Sequence, residues 1–240
     1  MELIPLLLLS PRFLLIAAAV IPAVLLIIFV YRQDRLEKES WGMIFKLVLF
    51  GAISTLFAQV TETIGIALLA WLFQPGGLAY NLVLYFVVVG LSEEGFKYLI
   101  LRWRTWNSPE FNCRFDGVVY ATAVSLGFAL WENISYVISY GIGTAMVRAV
   151  TAVPGHACFG VFMGAFYGVS KLHESNRDEP NAKQCKKLSV IVPVLLHGTY
   201  DFIASRSASA IDLLFVAFIG FMFWFAYRTV KKLSAADHYI

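Results

Sequence analysis

The sequence predicts an all-α fold, a polytopic membrane helix bundle of about seven transmembrane helices, each needing about twenty apolar residues. Of the 240 residues, 59% are apolar and 15% are charged, whereas a soluble domain averages roughly 45–50% and about 25%. The mean hydropathy is +0.72. This composition excludes a soluble enzyme with one appended anchor, a disulfide-rich secreted module and a disordered regulator.

Seven apolar stretches follow one another along the chain, at residues 10–31, 43–73, 79–102, 115–139, 146–171, 188–205 and 210–229. The second is too long for one untilted span, so we expect tilt or an interfacial start near Trp41. Turn signals at 74–77 and 140–143 separate neighbouring spans. No signal-peptide cleavage site follows the first run, so we expect it to be retained within a single integral membrane domain, 1–240.

The distribution of basic residues predicts the orientation of the spans. The alternate connections contain only Arg148, at a span edge, and Arg206. The other connections and the C-terminus contain Arg32, Arg35, Lys38, Arg102, Arg104, Arg114, Lys171, Arg177, Lys183, Lys186, Lys187, Arg228, Lys231 and Lys232. Because basic loops stay on the cytoplasmic side, we expect the N-terminus outside and the C-terminus in the cytoplasm.

Charge and cysteine content exclude further classes. The net charge of +3 is small and follows the membrane orientation, so the sequence predicts a lipid bilayer as surroundings and no nucleic-acid partner. Cys113, Cys158 and Cys185 are an odd count without a CxxC pair. Neither a disulfide framework nor a thiolate zinc site is therefore indicated.

Ionisable residues inside apolar spans are costly and are read as functional by default. The third span contains Glu93, Glu94 and Lys97. Glu93 and Lys97 lie one helical turn apart on one face, and Glu94 is rotated about 100° from Glu93 around the helix axis. Lys97 can neutralise one carboxylate and leave the other as metal ligand or general base. The alternative is a structural ion pair.

Three further spans carry polar groups, and the second contains Gln59 and Glu62. In the fourth, Glu132 is a potential ligand or base, and Asn133 could donate to an oxyanion or steady a ligand. Asp116, beside Arg114, is interpreted as a surface ion pair or a helix cap.

His156 in the fifth span is followed at intervals of four by Gly160, Gly164 and Gly168, a small-residue face that predicts close helix contact. The imidazole should therefore point into a helix interface, as a site residue or as a core histidine. His197 and Asp201 share a face of the sixth span, where both could bind a metal or Asp201 could orient the imidazole. Asp201 could instead be a helix cap.

Glutamates and two histidines on facing helices form a ligand set suited to zinc or a similar divalent ion, with a position left for water. The predicted metal ligands are Glu93, His156 and His197. The sequence contains no HExxH, GxSxG or GxGD motif, which argues against zincin, rhomboid-like and presenilin-like mechanisms.

From about residue 80 to 205 the chain resembles the PrsW-type intramembrane proteases in a joint pattern of Glu93-Glu94-x-x-Lys97, Phe115-Asp116-Gly117, Gly127-Phe128, Glu132-Asn133, His156 and His197-x-x-x-Asp201. It is distantly similar to the Abi-group CAAX prenyl endopeptidases, which also use a Glu-Glu motif and intramembrane histidines. The resemblance implies catalytic core helices at 80–205 and a multi-pass protein of the bacterial cytoplasmic membrane. It also implies a first cut in a single-span anti-sigma factor, releasing a stress or antimicrobial-peptide response.

The predicted function is an intramembrane endopeptidase that hydrolyses membrane protein substrates with an activated water. The expected catalytic residues are Glu93 as general base, Glu94 as orienting or coordinating carboxylate, Lys97 as counter-ion, His156 and His197 as metal ligands or oxyanion donors, and Glu132, Asn133 and Asp201 around them. A metal-free glutamate protease stays open. The alternatives are a proton- or cation-coupled transporter and a non-catalytic membrane scaffold.

Overall fold

The computed structural model describes residues 11–206 and 209–240, and every regular element in these ranges is helical. The helices are α1 (Pro11–Gln33), α2 (Trp41–Leu72), α3 (Leu78–Val83), α4 (Leu91–Thr105), α5 (Asp116–Tyr140), α6 (Ile142–Val150), α7 (Ala152–Ser175), α8 (Glu179–Ala204) and α9 (Ser209–Ala235). A π-helical segment, Leu84–Gly90, joins α3 to α4. The all-α prediction is confirmed for the described residues.

Five helical stretches are long and apolar enough to cross a membrane, namely Ile16–Gln33, Trp41–Leu72, Ile142–Ser175, Glu179–Ala204 and Ile211–Ala235. The stretch 78–105 and α5 carry several of the predicted polar site residues within their length. The length and apolarity of the helices therefore support five membrane spans, and the count of seven spans stays a prediction. Residue 10, where the first predicted span begins, lies outside the described residues.

The predicted fifth span, 146–171, lies within the apolar stretch Ile142–Ser175, which a break divides into two helices. Residues 142–150 form the separate helix α6, and α7 begins at Ala152 after Thr151, whose backbone is non-helical. Pro154 lies in the first turn of α7, where its missing N–H leaves no hydrogen bond unmade. The proline therefore favours a new helix start at this point over one continuous helix.

Helix α5 lies at the centre of the bundle, and its first fourteen residues, 116–129, are all buried. The glycine face of α7 packs directly on it. A Cβ atom at Gly164 would lie closer to the carbonyl oxygen of Gly117 and to Cα of Val118 than a non-bonded contact allows. The predicted close helix contact is confirmed, and it fixes the position of the α7 residues relative to α5.

Asp116, at the start of α5, differs from its interpretation as a surface ion pair. Its carboxylate is only 1% exposed, and Oδ2 accepts hydrogen bonds from the backbone N–H groups of Asn112 (3.0 Å) and Cys113 (2.6 Å). The side chain therefore holds the turn that precedes α5. Among the described residues it forms no surface ion pair and no hydrogen bond that caps the N–H groups of α5, so neither interpretation is confirmed.

The outer surface of the bundle carries many large apolar side chains, and several charged side chains are buried inside it. Trp71 is 90% exposed, and large apolar side chains such as Phe57 and Leu214 also face outwards. Glu94, Lys97 and other charged side chains are fully buried. This inversion of the usual soluble pattern is the one expected for helices that face lipid.

Gly164→Leu should destabilise the bundle by about 1–3 kcal/mol or more, because the new side chain meets backbone atoms of α5 that cannot rotate away. The thermal unfolding midpoint of purified protein in detergent measures the effect. The matched control is Gly220→Leu, since nothing lies within 4 Å of a Cβ built at Gly220. Equal midpoints for the two variants would contradict the packing described for α7.

Candidate active site

Four helices direct polar side chains to one place. The contributing residues are Glu93, Glu94 and Lys97 from α4, Glu132 from α5, His156 from α7, and His197 and Asp201 from α8. Their hydrogen bonds and ion pairs form one connected network. Seven of the eight residues predicted for the site therefore lie together, although they are spread over more than a hundred positions of the sequence.

Lys97 is the centre of this network. Its ammonium is fully buried and lies 2.7 Å from Oε1 of Glu94 and 3.2 Å from Oε2 of Glu93. It also lies 4.2 Å from the centroid of the Phe128 ring, within cation–π distance. The predicted pairing of Glu93 with Lys97 is confirmed, and Glu94 is the closer partner.

The hydrogen bonds of His156 define its tautomer. Lys97 Nζ lies 3.0 Å from Nδ1, and because an ammonium can only donate, Nδ1 accepts. The ring proton is then on Nε2, which donates to Oε2 of Glu132 at 2.9 Å. Arg148 contacts the same carboxylate oxygen at 2.9 Å. Both ring nitrogens of His156 are therefore held in fixed directions.

His197 is held from two sides. Nδ1 lies 2.9 Å from Oε1 of Glu94 and 3.8 Å from Oε2 of Glu93, and Nε2 lies 3.4 Å from Oδ2 of Asp201. The Phe159 ring stacks on the imidazole, with centroids 4.8 Å apart and planes at 20°. The i, i+4 spacing thus brings Asp201 beside the imidazole as predicted, and aromatic packing limits rotation of the ring.

Asn133 points away from the other predicted site residues. Its Nδ2 donates to the carbonyl oxygen of Ala19 in α1 at 3.0 Å, and its Oδ1 accepts from Nε of Arg148 at 3.1 Å. Successive helical residues point about 100° apart, so when Glu132 faces His156 the next side chain faces α1. This geometry holds Arg148 in place and does not present the amide as an oxyanion donor.

A cavity of about 370 Å³ opens beside this network. Its walls include Glu93, Glu132, His156, His197 and Asp201, together with residues that sequence reasoning did not assign to the site, Glu62, Tyr85, Tyr136, Arg148, Phe159 and Tyr200. The sequence feature that could have identified Glu62 and Arg148 as site residues is a charge within or beside an apolar stretch. Gln59, in the same helix as Glu62, is exposed on the outside.

The residues fit a divalent metal ion. Glu93, Glu94, His156 and His197 each offer one ligand atom, and these atoms all lie within 4.8 Å of one another. Oε2 of Glu94 is buried without a hydrogen-bond partner in the described part of the chain. Carboxylates also outnumber the basic side chains around the cavity, which favours a bound cation. Mixed imidazole and carboxylate ligands are typical of zinc and similar ions.

Three relatives of similar length are identical to this chain at about a third of the aligned residues. The chain is 33% identical to Protease PrsW of Halalkalibacterium halodurans over 225 residues, which is 94% of this chain and 99% of that protein. It is 33% identical to Protease PrsW of Bacillus subtilis over 231 residues, covering 94% and 98%. Protease PrsW of Clostridioides difficile is 31% identical over 191 residues, covering 77% and 76%.

No solved structure matches the chain. The sequence model of the PrsW family intramembrane metalloproteases matches residues 39–227, which include all the residues of the network described above. With that match and the three relatives, the chain belongs to the PrsW family of intramembrane metalloproteases.

Proposed function

We propose that this metalloprotease cleaves membrane protein substrates at the cavity beside Lys97, with Glu93 as general base. The observation that carries the proposal is the set of four ligand atoms, from Glu93, Glu94, His156 and His197, within 4.8 Å of one another. The family assignment supports a multi-pass membrane protease and gives no support to the proton- or cation-coupled transporter.

The two glutamates have different partners, which supports different roles. Oε1 of Glu94 contacts both Lys97 (2.7 Å) and His197 (2.9 Å), and its side chain is fully buried. Glu93 lines the cavity, and its contacts to the same two partners are longer, 3.2 and 3.8 Å. We therefore assign the orienting role to Glu94 and the proton-accepting role to Glu93.

One carboxylate oxygen of Glu93, with His156 and His197, would hold the metal, and the other oxygen would stay free to accept a proton. Zinc is the proposed ion because two imidazoles and a carboxylate suit it. When bound, the metal supplies Lewis-acid chemistry, which polarises a carbonyl oxygen and makes water more acidic. Nδ1 of His156 has one lone pair, so Lys97 must release its hydrogen bond when this nitrogen binds a metal.

The side chains around the ligands would orient them. Glu132 accepts from Nε2 of His156, and Asp201 lies beside Nε2 of His197, the arrangement that commonly sets imidazole direction and basicity. Glu93 would take a proton from the attacking water and return it to the leaving amine. The proposal needs no acyl-enzyme.

The substrate and the topology are further parts of the proposal. A single-span anti-sigma factor in a stress response, cut at the bacterial cytoplasmic membrane, follows from the family resemblance. The chain would cross the membrane seven times with its N-terminus outside, as its basic connections predict. Residues 80–205 would form the catalytic core, with Glu62 of α2 added because it lines the cavity.

Glu93→Gln should lower the cleavage rate of a single-span model substrate by about 10²–10⁴-fold, because an amide cannot accept the proton. The matched control is Glu62→Gln, which removes the same charge from the same cavity and should lose no more than about tenfold. Similar losses in both variants would mean that cavity charge, and not a base at residue 93, supports the rate.

His197→Ala should remove the metal as well as the activity, since few ligands would remain to hold the ion. Asp201→Asn should lower affinity or activity by only about 10–100-fold. Metal content by mass spectrometry and cleavage rates are measured on the same preparations. His173→Ala is the control, because this histidine pairs with Asp178 at the far end of α7. Wild-type protein that cleaves without stoichiometric metal would contradict the metal role and favour a glutamate-activated water.

The proposed topology predicts opposite labelling of two engineered cysteines in intact cells. In a chain whose three natural cysteines are changed to serine, Gly76→Cys should react with an impermeant maleimide. Glu179→Cys should react only after the membrane is permeabilised. The reversed result would overturn the orientation, and labelling of both sites from outside would overturn the span count.

A further inference from the structure

A second group of carboxylates lies outside the active site. Asp34 and Glu39 are in the connection between α1 and α2, and Asp116 begins α5. Each offers one carboxylate oxygen, and these oxygens all lie within 4.8 Å of one another. Asp116 and Glu132 are sixteen residues apart on one helix, so the group lies about 24 Å from the active-site end of α5.

The group is buried, and three of its carboxylate oxygens lack a hydrogen-bond partner in the described part of the chain. Asp34, Glu39 and Asp116 are 1%, 6% and 1% exposed. Both carboxylate oxygens of Asp34 and Oδ1 of Asp116 have no hydrogen-bond partner among the described residues. In the same part of the chain, none of the ion pairs within 4.0 Å involves these three side chains. Burial raises the pKa of Asp34, and the basic group of Lys38 acts on Asp34 to lower it in part. Three buried carboxylates exceed the single charge of Lys38, so protons or a bound cation must neutralise the rest.

Neighbouring groups hold two of the carboxylates in place. Oε2 of Glu39 accepts from the hydroxyl of Tyr120 at 2.6 Å, and Oδ2 of Asp116 accepts from two backbone N–H groups. Burial raises the pKa of Asp34 to about 6 and that of Glu39 to about 7, because desolvation disfavours their charged forms. Two directed carboxylates and one unpartnered, buried aspartate make a preformed set of oxygen ligands.

We infer that Asp34, Glu39 and Asp116 form a second divalent-cation site, selective for a hard ion such as Mg²⁺ or Ca²⁺. The ligands are all oxygens, which these ions prefer, whereas the imidazole-containing active site suits zinc. The Lys38 ammonium near Asp34 would offset one of the three negative charges, and a bound divalent ion would neutralise the other two. It would also tie the α1–α2 connection to the start of α5, the helix that carries Glu132, and so stabilise the fold rather than take part in catalysis.

Wild-type full-length protein in detergent, saturated with zinc, is titrated with Mn²⁺ and followed by electron paramagnetic resonance. One Mn²⁺ should bind per chain, and excess Mg²⁺ or Ca²⁺ should displace it. Saturating Ca²⁺ or Mg²⁺ should raise the thermal midpoint by at least about 3 °C. Absence of stoichiometric Mn²⁺ binding would overturn the proposal. Because the titration uses wild-type protein, its result does not depend on whether a variant folds.

Asp34→Asn should weaken Mn²⁺ binding at least about tenfold and abolish the thermal shift, because it replaces a charged carboxylate ligand by a neutral amide. Glu179→Gln, an exposed carboxylate at the start of α8, is the matched control and should leave both unchanged. The Glu93→Gln chain should keep the site, so the result is independent of cleavage. Unaltered Mn²⁺ binding in Asp34→Asn would overturn the site. A higher thermal midpoint in that variant without any cation effect would also overturn it, because it would mean that shared protons neutralise the carboxylates.

Discussion

A fully buried lysine ammonium is the constraint on which the candidate active site depends. Lys97 is out of contact with solvent and can remain charged only if carboxylates and other acceptors surround it. It meets this need with Glu93 and Glu94 from its own helix and with His156 from α7. Because Glu94 also contacts His197 of α8, satisfying one ammonium sets three helices at fixed positions.

The packing of small residues makes this convergence possible. The glycine face of α7 allows its backbone to approach α5 closely, so His156 and Glu132, from these two helices, meet at 2.9 Å. In lipid, helices gain little from burying apolar side chains against each other, so close backbone contact and interhelical hydrogen bonds must supply the association. The active site and the bundle are therefore stabilised by the same contacts, and changing one will disturb the other.

Helical periodicity and the high free energy of ionisable side chains in apolar spans predict which residues form the site. They predict less well which side chains those residues contact. Helical spacing brought Glu93 beside Lys97 and Asp201 beside His197, since both pairs are local. The orienting contacts of Glu94, the turning of Asn133 towards α1 and the position of Arg148 depend on how distant helices pack, which one sequence does not specify. The same limit applies to Asp116, whose burial beside Asp34 and Glu39 is a long-range contact, and to the break before α7, where local proline geometry decides the helix start.

In the proposed mechanism, side chains from α4, α7 and α8 converge on one divalent ion. X-ray absorption spectroscopy of the stoichiometrically zinc-loaded protein tests it directly, because it counts imidazoles and detects sulfur around the metal. The account predicts a shell of nitrogen and oxygen only, at about 2.0–2.2 Å, that includes two imidazoles. A shell with sulfur, or with fewer than two imidazoles, would contradict it.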